Sequence, residues 1–484
     1  MSLRTILILT VLMFVLMGCG PNGATGEAGS PPIADNEPSF TFPAVKEADL
    51  HNGTHLIVYE DSRLPHILFK IIIPGAGGCF DPEGQTGLAE FTASMLAKGT
   101  NAFSRGDFDR EMERTASFLT ASADMNGLDA VITGSCLTEH FARVFSMAAE
   151  MILHPAFPED EIALLKRDVL NRLITQRSDS RFLGMEAFYK AVYNGHAGAR
   201  MSPDAKTVKG LKREDLAAFH QANYHPDHMV IGIAGDITMQ QAQAAASEMF
   251  ASWEKAGIPA PEYSQAGPVP PAEITLVHRP HSVQVDHFVG TLGLGWNDPE
   301  ALDLFFLNQI LGSNSSRRLF QNLREEHFYT YGCYSAARFR DYGGVWIART
   351  QGVRYDVAEP ALREILNELD RIREEPVPEE EMKIVKRMTN GEYVLKTERP
   401  ENVLDNAVMR WRYGFPADYW NRYPEKIRAA AAEKVQKFAK RFLAPDRIQI
   451  VVVGDGTQII GWLKNFGSVK VVDTDGKPIV LQQP

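Results

Sequence analysis

Cysteine is scarce in this 484-residue chain, which has only Cys19, Cys79, Cys136 and Cys333. No two of them form a Cys-x-x-Cys pair, so neither a thiolate zinc knuckle nor a dense disulfide framework is on offer. Long runs of Lys and Arg are missing too, and the formal net charge is -11. That balance argues against a nucleic-acid partner, because phosphate binding depends on concentrated positive charge. There is no glycine-rich phosphate loop and no Gly-x-Ser-x-Gly elbow, which removes the usual nucleotide-binding and serine-hydrolase designs. The one long apolar run, Ile6 to Met17, is shorter than the ~20 residues a membrane-spanning helix needs. What is present, 44% hydrophobic and 23% charged residues, is the composition of a globular protein. The length suggests two to four domains.

Residues 1–19 read as a secretory signal, with Arg4 ahead of the apolar run and Leu16-Met17-Gly18-Cys19 closing it. This ending resembles the lipobox of bacterial lipoproteins, which implies that Cys19 carries the lipid and becomes the mature N-terminus. The expected location is then the bacterial cell envelope, lipid-anchored on the periplasmic side. Gly20 stands where an Asp would favour the inner membrane, so the outer membrane is preferred. Residues 20–45, rich in Gly, Pro, Ser, Asn and Ala, have the composition of a flexible tether. Cys79, Cys136 and Cys333 then remain, an odd number expected to be buried free thiols, although one pair is possible.

Two stretches half a chain apart share one pattern. Phe219 is followed by Tyr224-His225-Pro226-Asp227 and a strand-like run ending at Gly235-Asp236; Phe438 is followed by Ala444-Pro445-Asp446 and a run ending at Gly454-Asp455. Aligning Pro226 with Pro445 aligns both Phe residues and both Gly-Asp pairs without a gap. Each copy reads as an amphipathic helix (211–223; 429–442), a Pro-marked turn and a buried strand. Earlier in each half a strand (67–74; 283–294) leads to Asp-Pro-Glu, at Asp81 and again at Asp298, before a helix. Helices are also expected over 360–374 and 379–396. The fold class is therefore α+β, two related halves of residues 46–255 and 273–475, each a mostly antiparallel sheet with helices packed on one face. A Pro-rich linker, 256–272, joins them, and 476–484 is a tail.

The stretch Gly87-Leu88-Ala89-Glu90-Phe91-Thr92-Ala93-Ser94-Met95-Leu96-Ala97-Lys98-Gly99-Thr100 resembles the segment around the H-x-x-E-H motif of the pitrilysin/insulinase zinc peptidases, the inverzincins. In that motif two His ligands flank a Glu that takes a proton from zinc-bound water. Here the three positions hold Glu90, Ala93 and Ser94. Neither Ala nor Ser can replace an imidazole ligand or a carboxylate base. The family's third ligand, a Glu roughly eighty residues further on, falls where this chain has Asn171, Arg172 and Leu173. No zinc is therefore expected in this chain. His220, His225 and His228 form a local concentration of His, but Pro226 prevents helical presentation of the last two, and a solvated turn is expected.

The second half carries Ser315-Ser316-Arg317-Arg318-Leu319-Phe320-Gln321-Asn322-Leu323-Arg324-Glu325, followed by Tyr331. This resembles the family's Ser-Arg-Leu-Phe-x-x-Leu-Arg-Glu stretch. The resemblance implies that Arg324 and Tyr331, seven apart, bind substrate and stabilise the oxyanion. Taken alone, the same residues also fit an exposed helix Arg and a core strand Tyr. In two-chain members of the family one subunit holds the metal and the other supplies this Arg/Tyr pair. The expected function is thus the catalytically inactive subunit of a heteromeric zinc metallopeptidase. Its expected partners are a related subunit with an intact H-x-x-E-H motif, which holds the zinc, and a peptide substrate. The alternative is a non-enzymatic binding or scaffold lipoprotein on the same fold.

Overall fold

The structure is a computed structural model that describes residues 40–481. The expected signal, Cys19 and most of the tether lie outside the described residues. From Phe42 to Leu481 the chain forms one compact unit.

The first half supplies strands β1 (Lys46–Asp49), β2 (His55–Glu60), β3 (His66–Pro74), β4 (Phe118–Ala123), β5 (Asp129–Leu137) and β6 (Val230–Gly235). They form a sheet in the order β1-β2-β6-β3-β5-β4. Its main helices are α1 (Leu88–Leu96), α2 (Phe141–Leu153), α3 (Glu159–Gln176), α4 (Ser180–Tyr193) and α5 (Arg213–Asn223). The second half supplies β7 (Ile274–His278), β8 (Asp286–Leu292), β9 (Cys333–Arg338), β10 (Val345–Thr350), β11 (Gln449–Gly454) and β12 (Val469–Val472), ordered β12-β7-β11-β8-β10-β9. Helices α6 (Ala301–Leu311), α7 (Ala358–Glu374), α8 (Glu379–Lys396), α9 (Pro400–Arg412) and α10 (Ala432–Phe442) belong to it by sequence.

The duplication extends to strand connectivity. β2-β6-β3-β5-β4 and β7-β11-β8-β10-β9 have the same sequence order, and in each the first pairing is parallel and the rest antiparallel. The repeated Gly-Asp has a packing cause. A Cβ on Gly235 would sit 2.0 Å from the His66 carbonyl oxygen, and one on Gly454 would sit 2.6 Å from Ile459. Asp455 then caps the following helix, accepting from Thr457 N–H at 3.1 Å. Strand and helix ends fall within three residues of the expected ones, and no helix or strand lies between Met249 and Ile274.

One face of each sheet carries helices of its own half, as expected; the other face is covered as well, by a helix from the opposite half. On the first sheet, Phe69 of β3 meets Phe145 of α2 edge-on at 5.3 Å between ring centres. Strand alternation then sends Leu68 and Ile72 to the opposite face with Ile57 and Val230. That face is covered by α9, whose Leu404, Ala407 and Val408 come from the second half of the chain. The exchange is reciprocal. The outer face of the second sheet, Val277, Phe288, Val345, Ile347, Val451 and Val453, packs against Leu183, Phe188, Tyr189 and Val192 of α4 from the first half. Glycine permits the closest approach: a Cβ on Gly184 would lie 2.0 Å from the Phe288 ring. Arg412, at the end of α9, bonds both Asp129 of the first half and Asp341 of the second.

Candidate functional site

The segment carrying the zinc-motif positions is held firmly at its start. Gly87 takes a left-handed conformation, φ 105°, just ahead of α1. The Asp81 carboxylate accepts from Gly87 N–H at 2.6 Å and Ala89 N–H at 2.7 Å. Burial outweighs these bonds and pushes the Asp81 carboxyl up to about 6. Within α1, Leu88, Ala89, Phe91, Thr92, Ala93, Met95 and Leu96 are buried, which leaves Glu90 and Ser94 as its partly open positions.

Glu90 is not free. Arg172 of α3, one of the three residues at the expected third-ligand position, donates from Nη2 to Glu90 Oε1 at 2.8 Å. Burial raises the Glu90 carboxyl above its ordinary value, and Arg172 pulls it part of the way back. The donor set therefore does not fit a catalytic zinc: a methyl group stands in place of the base, a hydroxyl in place of one imidazole, and the remaining carboxylate is engaged by a guanidinium. The two residues are 82 apart in the chain; the resemblance assigns both positions to one ligand site, and the ion pair between them is what the structure adds. Among the described residues, no group of three or more His, Cys, Asp or Glu side chains is placed to hold a metal ion.

The three clustered histidines do not converge. The Nε2 atoms of His220, His225 and His228 each sit at 2.8–2.9 Å from a different backbone carbonyl, those of Ile152, Ala222 and Ile258. His220 departs from the solvated-turn expectation: it lies within α5 and stacks on Tyr224. Cys79, Cys136 and Cys333 are free thiols, the last two buried.

Arg324 and Tyr331 occupy a locally unusual backbone. Residues Gln321–Glu326 form a π-helical turn, with His327 N–H bonded to the Asn322 carbonyl at 3.1 Å. Such wide turns are rare and concentrate at functional sites. Phe328 follows at φ 57°, a left-handed conformation costly for an aromatic residue. Asn322 fastens the turn to α7 through Glu364 and Glu368, and Thr330 anchors the far end by donating to the Gln351 carbonyl at 2.7 Å. Between these anchors Arg324 is half-buried and makes no ion pair or side-chain hydrogen bond among the described residues. Tyr331 is 70% exposed, just before the edge strand β9, and its hydroxyl is likewise unpartnered among the described residues. A core position for Tyr331 is thereby ruled out. The π-turn and the strained Phe328 were not legible in the sequence, since neither has a composition signal.

Two sequence profiles match the chain: one described as insulinase, peptidase family M16, over residues 70–201, and one described as the peptidase M16 inactive domain, over 210–389. Together they cover well over half of it. A crystal structure of a peptidase M16 inactive domain from Pseudomonas fluorescens superposes with a TM-score of 0.76 at 24% identity, covering 85% of this chain and 98% of that one. An uncharacterised zinc protease of Bacillus subtilis is 23% identical over 296 residues, 60% of this chain and 69% of that protein. The β subunit of the mitochondrial-processing peptidase of Bos taurus is 23% identical over 282 residues, 57% of this chain and 55% of that one. The chain belongs to the M16, or insulinase, peptidase family, and it lacks the family's catalytic motif.

Proposed function

We propose that this chain is the non-catalytic subunit of a heteromeric zinc metallopeptidase, supplying Arg324 and Tyr331 to an active site whose metal is held by a related partner with an intact H-x-x-E-H motif. The carrying observation is an asymmetry between the two sites. The zinc positions are closed by the Glu90–Arg172 pair, whereas Arg324 and Tyr331 are left without partners on a strained, well-anchored segment. A guanidinium and a phenol are donors suited to a peptide carbonyl oxygen that gathers negative charge. They are useful only beside a nucleophile that this chain does not generate. The likeness to a protein named as a peptidase subunit supports membership of an assembly of more than one chain. Cys19, outside the described residues, is the proposed lipid attachment point, holding the assembly at the periplasmic side of a bacterial envelope.

The test is reconstitution. The chain alone should neither retain stoichiometric zinc nor cleave peptides, and activity should appear on mixing with a related chain that carries H-x-x-E-H. Arg324→Ala and Tyr331→Phe should each lower kcat of the mixture by about 10²-fold or more, the scale for losing an oxyanion donor, while leaving the melting temperature of this chain unchanged. A mixture whose activity ignores both substitutions, or no gain on mixing, sinks the reading and favours a binding or scaffold role on the same fold.

A further inference from the structure

Seven residues before Arg324 the chain departs from the family stretch. Aligned on Leu319-Phe320-x-x-Leu323-Arg324-Glu325, the family's Arg is Arg318 and its Ser is replaced by Arg317. The two arginines have different fates. Arg318 is held in a fork by Glu381 of α8, at 2.9 and 2.5 Å. Arg317 is only 4% exposed and has no carboxylate partner among the described residues. Its one side-chain bond among the described residues runs from Nη2 to the thioether of Met388, a weak acceptor. Its Nε is sealed from solvent without an acceptor; Nη1 has no partner among the described residues either, and is not one of the sealed atoms.

A buried guanidinium without an oxygen partner is costly unless something completes it. The two carboxylates that act on it are paired elsewhere: Glu381 with Arg318, and Glu392 with Lys396 at 3.6 Å. Burial accordingly disfavours the charged form of Arg317. Beside it, Glu381, Ile384 and Met388 fall on one stripe of α8 at spacings of three and four. Two of these are open apolar groups, with Ile384 49% and Met388 38% exposed. One edge of a positive fork therefore adjoins an exposed apolar strip, about two helical turns upstream of Arg324.

We propose that Arg317 is a carboxylate-binding residue that takes the C-terminal carboxylate of a bound peptide, with Ile384 and Met388 receiving the apolar side chain of that terminal residue. A planar fork suits a carboxylate better than a point charge does. This deepens the peptide-handling reading above by naming which end of the peptide is held on this subunit.

The experiment uses the full-length chain in detergent, without partner or zinc, so its outcome is independent of reconstituted activity. N-acetyl-leucine, N-acetyl-leucinamide and acetate are compared by isothermal titration and thermal shift. The acid should bind at least tenfold more tightly than either the amide or acetate. Arg317→Met should erase the difference between acid and amide without lowering the melting temperature, because it removes an uncompensated buried charge. Arg317→Lys should weaken acid binding while keeping the charge, and Ile384→Ser should weaken acid and amide alike. The proposal fails if acid and amide bind equally, if neither binds, if acetate matches N-acetyl-leucine, or if the preference for the acid survives in the Met variant.

Discussion

Removing the Arg172 side chain with Arg172→Ala would leave the Glu90 carboxylate in its half-buried seat without a counter-charge. Breaking a fully buried ion pair from one side costs about 3–5 kcal/mol, and an exposed pair is worth about 0–1 kcal/mol. Glu90 is 26% exposed and Arg172 50%, so the expected loss at pH 7.5 lies between those limits, at about 1–2 kcal/mol. Urea unfolding should show it as a lower midpoint at unchanged slope. The pH dependence follows from the sign of the shift. Burial already raises the Glu90 carboxyl, and Arg172 supplies the influences that lower it. Without Arg172 the folded-state value climbs further above the unfolded one, so the contribution of this group is largest in acid and is lost as pH rises through the folded value. The deficit of the variant should therefore shrink as the pH falls to about 5. In a Glu90→Gln background the same substitution should cost about 1 kcal/mol less. A deficit that is independent of pH and equal in both backgrounds would show that Arg172 stabilises the chain by packing rather than by closing the former ligand site.

Three further outcomes follow from the geometry. Glu90→His, Ser94→His and Arg172→Glu in combination should bind zinc more tightly than the parent in a chelator competition, because positions 90 and 94 share a helix face that position 172 already reaches; affinity no better than that of the parent would mean the helices have drifted from a ligating arrangement. Gly184→Ala should lower the melting temperature despite the ~1 kcal/mol helix advantage of Ala, since overpacking against Phe288 costs about 1–3 kcal/mol; a rise would place α4 further from the second sheet. His220 is pushed down to about 4 by burial, so its contribution is intact above the ordinary His value and lost as pH falls from about 6.5 towards 4. His220→Gln should flatten the stability profile across that window, and an unchanged slope in chemical denaturation would assign the acid sensitivity to another group.

The sequence exposed whatever was encoded locally. The repeated Pro-turn, strand and Gly-Asp ending revealed the duplication because both glycines sit where a side chain would collide, Gly235 with the His66 backbone and Gly454 with the Ile459 side chain. Glu90, Ala93 and Ser94 announced the missing zinc site because ligand chemistry is read residue by residue. What escaped detection depends on distant segments meeting. Nothing in the amphipathic pattern of Ser180–Tyr193 or Pro400–Arg412 says which sheet each will cover, since an apolar stripe is complementary to either. The resemblance put positions 90 and 172 at one former ligand site, but their bond escaped because nothing local pairs two ordinary charged residues on separate helices. The π-turn around Arg324 escaped for another, because its sequence is that of a normal helix.

The crossed helices bear on how the polypeptide matures. A ribosome delivers the first sheet long before residues 400–412 exist, and until they emerge Ile57, Leu68, Ile72 and Val230 have no cover. The N-terminal half must wait in an unfinished, sticky form for the last quarter of the chain, which makes it a client for holding factors during synthesis and ties its maturation to complete translation.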